Sequence, residues 1–154
     1  MKNMNTMKTL FDLNEHLAGH FTLGEMLRSG QAIRLGIDNI PGEVEVEALR
    51  ALCQNVLEPL RLQFGRILIS SGDRCERLNK AVGGVANSQH LRGEAADIHC
   101  SSIVQAQRYF DYIACHLDFD QLLLERRLRN GCCWIHVSYA GERNRKIKGT
   151  FSVR

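Results

Sequence analysis

The stretch NSQHLRGEAADIHC, residues 87–100, sets two histidines, two carboxylates and a glycine within fourteen positions. Imidazole and carboxylate are both good zinc ligands, and a catalytic zinc site takes three protein ligands while leaving its fourth position to water or substrate. His90 and Asp97, with six residues between them, offer two such groups. Taken alone that spacing is common, and a histidine of this kind also occurs at a surface or in a satisfied core. A third ligand must come from elsewhere in the chain.

The segment QLLLERRLRNGCCWIHVSY, residues 121–139, supplies one in His136. Asn130-Gly131 is a strong hairpin signal. A two-residue turn there sets Arg129 against Cys132, Arg127 against Trp134 and Glu125 directly against His136. Directly opposed side chains have Cβ atoms about 4.5–5.5 Å apart. Glu125 is then a base beside whatever metal His136 holds. Without the first stretch, the same pair reads as an exposed Glu–His contact on a sheet face.

The surrounding elements must position these groups. TLGE (22–25) is a capping box, Thr22 with Glu25, that opens a short helix ending near Gly30. Val46, Leu49, Leu52, Val56, Leu57 and Leu60 have helical spacing, with Pro59 bending the last turn. RILIS (66–70) reads as a strand, CERLNKAVGG (75–84) as a brief helix stopped by Gly83-Gly84, and AADIHC (95–100) as a second strand. Ile103, Gln107, Phe110, Ile113 or Ala114, and Leu117 mark another amphipathic helix, and QLLLE and CCWIHVSY are two further strands. The class is α+β, helices around a small, mainly antiparallel sheet.

Composition limits the alternatives. The chain has 154 residues, 44% hydrophobic and 24% charged with two prolines, which fits one domain with its own core. A net charge of +3 is too mild to argue for nucleic acid, and ERRLRN (125–130) and ERNRKIK (142–148) read as solvated faces. The opening MKNMNTMKTLFDLNEHL lacks the apolar run of an export signal, and no segment suits a membrane helix, so the expectation is cytoplasmic synthesis with residues 1–19 as an N-terminal extension. Six scattered cysteines read as free thiols. Cys132 and Cys133, as strand neighbours, point to opposite faces and do not share a metal. Neither an H-E-x-x-H helix nor a P-C-x-x-C motif is present, which excludes an ordinary zincin and a nucleobase deaminase.

ISSGDRCERLNKAVGG, SQHLRGEAADI and WIHVSY, in that order after a VLEPLR helix, carry a resemblance. Over roughly residues 20–140 the chain resembles the zinc D-alanyl-D-alanine carboxypeptidase family and its phage-type cell-wall peptidase branch. The resemblance implies the hedgehog-like fold for a single domain over 20–154, and one zinc per chain held by His90, Asp97 and His136. It implies Glu125 as catalytic base, Arg74 as the arginine on a substrate carbonyl or carboxylate, and Ser88 as a contact of substrate or ligand. Trp134 reads as an aromatic of the cleft wall that meets substrate, and His99 as a neighbour of the site or a surface residue. The implied activity is cleavage of a peptide bond in peptidoglycan stem peptides, as a D-Ala-D-Ala carboxypeptidase, an L-Ala-D-Glu-type endopeptidase or a phage lysin, by a monomer that binds neither nucleic acid nor membrane. The alternative is a non-catalytic, zinc-stabilised wall-binding or phage structural module. Three departures stand out: Asp73 replaces an aromatic, Cys75 replaces a serine, and the connection from Glu125 to His136 is long. That length adds a basic lip of Arg126, Arg127 and Arg129.

Overall fold

The computed structural model describes residues 11–154. The first ten residues of the N-terminal extension, and with them most of the segment read for an export signal, lie outside the described residues. Strand β1 (His16–Ala18) pairs with β2 (Phe21–Thr22) in a small antiparallel ribbon, and Leu17 and Phe21 send their side chains into the core. Thr22 then caps α1 (Leu23–Leu27), its hydroxyl accepting from the Glu25 N–H. The helix ends before Gly30, earlier than the sequence suggests, because Ser29 caps a separate helix, α2 (Gly30–Leu35).

Helix α3 (Glu43–Leu52), a π-helical turn (Cys53–Leu57) and α4 (Glu58–Phe64) follow without a break in helical backbone. Proline has no N–H to give the helix. Pro59 therefore sits in the first turn of α4 behind the widened π-turn, rather than bending a last turn. Val46, Leu49, Leu52, Val56, Leu57 and Leu60 are all buried, as their spacing predicts. Helix α5 spans Glu76–Ala81, and helix α6 (Ile103–His116) buries Ala106, Tyr109 and Ile113, while Ile103 and Gln107, both counted toward its inner face from sequence, lie outside.

The main sheet has five strands in the order β3-β4-β6-β5-β7: β3 (Leu68–Ser71), β4 (Ala95–Cys100), β5 (Gln121–Arg127), β6 (Cys133–Ser138) and β7 (Ile147–Val153). All neighbours are antiparallel except β5 and β7, so the sheet is mixed. Strand alternation divides it by face. Ala96, Ile98, Leu122, Leu124, Ile135 and Val137 point inward to the helices and are buried in one core with Leu49, Leu52, Leu60 and Ile113. The intervening residues, Asp97, His136, Trp134 and Glu125, share the other face. No helix among the described residues is long and apolar enough to cross a membrane.

Candidate metal centre

His90 rides on a 3-10 turn (Gln89–Arg92) capped by Ser88, whose hydroxyl accepts from the His90 N–H at 3.2 Å. The turn ends at Gly93, which adopts φ +69°. A Cβ there would collide with the Glu45 backbone carbonyl on α3, so only glycine permits both this conformation and this close approach. From Gly93 the chain enters β4 and delivers Asp97. The same logic holds on the opposite side of the histidine: a Cβ on Gly72 would collide with the Met26 carbonyl, and the Gly72 carbonyl accepts from His90 Nδ1 at 2.7 Å. That bond leaves His90 Nε2 to face the carboxylate.

Asp97 and His136 are register partners on β4 and β6. His90 Nε2 lies 3.3 Å and His136 Nδ1 3.0 Å from Asp97 Oδ1. One nitrogen or oxygen from each of His90, Asp97 and His136 falls within 4.8 Å of the others. Ligands sharing a tetrahedral zinc at bonds of about 2.0–2.1 Å are separated by about 3.3 Å. Donor types and spacing therefore fit a zinc ion, and His90, with its second ring nitrogen on a carbonyl, is oriented as metal-bound histidines are. Burial alone would raise the Asp97 pKa, but hydrogen bonds from His136 and His90, together with their positive character, hold it well below the usual carboxylate range.

Glu125 does not sit directly opposite His136. The turn at Asn130-Gly131 spans four residues, with the Arg127 N–H bonded to the Cys132 carbonyl and Asn130 Oδ1 accepting from the Cys132 N–H. Glu125 accordingly pairs with Trp134, and His136 with Leu123. A shift of two residues leaves every side chain on its expected face. Glu125 thus remains the diagonal neighbour of His136, and both line one cleft of about 690 Å³ with Ser88. Its Oε2 accepts from the Trp134 indole N–H at 2.6 Å. Burial raises its pKa, as does the negative charge of Asp97, against the opposing pull of His136 and the Trp134 hydrogen bond.

The remaining expected site residues have the following surroundings. Arg74 directs Nε to Ser71 at 2.9 Å, Nη1 to Asn79 at 3.3 Å and Nη2 to Asp97 Oδ2 at 3.3 Å, and its backbone N–H binds the His90 carbonyl. Its side chain is largely buried and turned to Asp97. Trp134 has its N–H on Glu125 and the Arg127 guanidinium over its ring at 5.6 Å. His99, exposed near the end of β4, stands outside the His90-Asp97-His136 group. All six cysteines are free thiols; Cys132, in the turn before β6, is exposed and Cys133 is buried.

Sequence reasoning passed over a second polar network. Gln89, next to His90, donates through Nε2 to both Glu94 and Asp120, two buried acids paired with Arg143 and Arg145. The signal was an acid at the leading edge of each of two apolar runs, Glu94 in EAADI and Asp120 in FDQLLLE. The arginines read as a solvated face are in fact anchored to them.

A His-Asp-His group formed by two strands of a mainly antiparallel sheet and a neighbouring 3-10 turn, with His136 and the carboxylate of Glu125 lining one cleft, could hold a metal ion in the way a metallopeptidase does. The Peptidase M15 family profile matches residues 19–138. The chain belongs to the peptidase M15 family, whose members are zinc-dependent, D-Ala-D-Ala carboxypeptidase-like enzymes. No curated protein matches it.

Proposed function

We propose that this protein is a zinc peptidase that cuts a peptide bond in peptidoglycan stem peptides, with His90, Asp97 and His136 as the zinc ligands and Glu125 as the general base. The observation that carries the reading is the convergence of the three donor atoms within 4.8 Å, with Glu125 on the same sheet face as Asp97 and His136 and lining one cleft with His136. The reading takes 20–154 as one domain of hedgehog-like architecture.

Zinc held there would supply a Lewis acid that polarises the scissile carbonyl and lowers the pKa of water. Everything else falls to the chain. Trp134 fixes one oxygen of Glu125 and leaves Oε1 to take a proton from the attacking water and pass it to the leaving amine. The raised pKa of Glu125 moves it toward the range where a carboxylate both accepts and returns a proton. Arg74 grips Asp97 Oδ2 and so turns Oδ1 to the histidines; in this reading it is a positioning residue whose geometry is already committed to the ligand. Ser88 fixes the turn that carries His90 and presents its side of the cleft to substrate.

Mass spectrometry of purified peptidoglycan digested with the zinc-loaded protein tests the reading. A single new amino terminus within the stem peptide is expected. Intact muropeptides from a protein that binds zinc stoichiometrically would replace the peptidase with a wall-binding module.

A further inference from the structure

The cleft continues past Glu125 and His136 to a wall made by Arg92, Arg143 and Arg145. The last two lie beyond residue 138, outside the segment that the family profile matches, in the connection that leads to β7. Their setting is unusual for surface arginines. Arg145 clasps Asp120 with Nε at 2.9 Å and Nη2 at 2.7 Å, and its backbone N–H binds the same carboxylate. Arg143 uses only Nη2, on Glu94 Oε1 at 2.9 Å, and its side chain is 72% exposed. Arg92 reaches the other oxygen of Glu94 at 3.4 Å.

Asp120 and Glu94 are themselves 1% and 6% exposed, and Gln89 bridges them. The two acids thus act as fixed posts behind the arginines. A guanidinium has five donors in a rigid fork. With one nitrogen of Arg143 engaged, its Nε and Nη1 are left for the cleft, and the anchoring removes part of the ordering entropy that an exposed arginine would lose on binding. Three cations are set against these two buried acids, which leaves the wall net positive. A planar anion is the chemistry it suits.

We propose that Arg143, flanked by Arg92 and Arg145, recognises a free carboxylate on the peptide and makes the site selective for anionic stem peptides. This rests on the peptidase reading above. Two carboxylates of such a peptide qualify, the C-terminal one and the α-carboxylate of the D-glutamyl residue.

The probes are four versions of one stem pentapeptide: unmodified, amidated at the C-terminus, amidated at the D-glutamyl α-carboxylate, and amidated at both. Binding to zinc-loaded Glu125→Gln protein is measured by calorimetry, and hydrolysis by the unsubstituted protein is followed in parallel. One of the amidations is expected to weaken binding about tenfold, the loss of one charge-assisted hydrogen-bonded pair, and which one it is identifies the carboxylate. Adding Arg143→Gln, which leaves Glu94 with Arg92 and Gln89, should make acid and amide bind alike. Equal affinity for all four probes, binding of none, or full acid preference after Arg143→Gln overturns the proposal, and the first two outcomes need no arginine variant. The two readings separate cleanly. Acid-selective binding without hydrolysis keeps the anion wall and refutes the peptidase, whereas hydrolysis with equal affinity for all four does the reverse.

Discussion

Asp97 is met on three sides, by His90 and His136 on one oxygen and by Arg74 on the other. A carboxylate so crowded by donors is held in one orientation, and the orientation is what a metal needs from it. Lysine in place of Arg74 keeps the positive charge but has no fork to reach Ser71, Asn79 and Asp97 together. Arg74→Lys is therefore expected to fold and yet lose roughly 10–100-fold in zinc affinity or in kcat/KM, the usual range for partners behind a ligand. Zinc titration and steady-state kinetics read the two directly. An unchanged variant would reduce Arg74 to a structural ion pair.

At the scale of elements, the site depends on how β3, the turn after it, and the His90 turn are joined. Asp73 stands at that joint. Its N–H binds the Met26 carbonyl, its carbonyl accepts from Asn39, and its side chain is 3% exposed with Oδ1 lacking a partner. Burial pushes its carboxyl up to about 7, helped by the negative charge of Glu45 and opposed by the Gly93 N–H. In the unfolded chain the group titrates near the ordinary value of about 3.9. Between these values the folded protein keeps a proton that the unfolded chain releases, so this stabilisation is present below about pH 4 and is lost as pH rises through about 7. Asp73→Asn removes the dependence. Its stability relative to the parent should climb from pH 4.5 to pH 8 by on the order of a few kcal/mol, at about 1.4 kcal/mol per pKa unit, measured by urea unfolding at both values. A difference that does not change with pH would contradict the account.

The same scale shows what was legible in the chain. AADIHC and CCWIHVSY alternate cleanly, so their faces, and with them Asp97 and His136, follow from period two alone. The register of β5 against β6 does not, because Asn-Gly marks where a chain turns and not how many residues the turn takes. Here Asn130 binds the Cys132 N–H through its side chain and widens the loop. The error was an even number of residues, which is why Glu125 stayed in the cleft. Strand β7 left no trace in the sequence: IKGTFSV is largely exposed, and its Gly149 interrupts any pattern. Its pairing with β5 is a tertiary contact made across the sheet edge. Likewise, nothing local says that Asp120 and Glu94 are buried, since their arginine partners lie 25 and 49 residues away.

For the whole molecule, the helices and the sheet divide the work. The inner face of the sheet, with Ile98, Leu122, Leu124, Ile135 and Val137, is closed by α3, α4 and α6 and supplies the core. The outer face, with no helix over it, carries Asp97, His136 and Glu125 beside the cleft. The chain past residue 138 completes the far wall of that cleft, so the family-matched segment and the remainder meet around one site. That division explains how a protein of 154 residues can hold both a rigid core and an open polar centre.

Glu125→Gln tests most directly whether the centre is catalytic. The amide keeps the size of the side chain and loses the proton acceptor, while His90, Asp97 and His136 are untouched. Turnover of a stem peptide by parent and variant, compared at equal zinc content, should fall by roughly 10²–10⁴-fold, the range for removal of a general acid–base group. A variant that hydrolyses the peptide as fast as the parent while holding the same zinc would contradict the account.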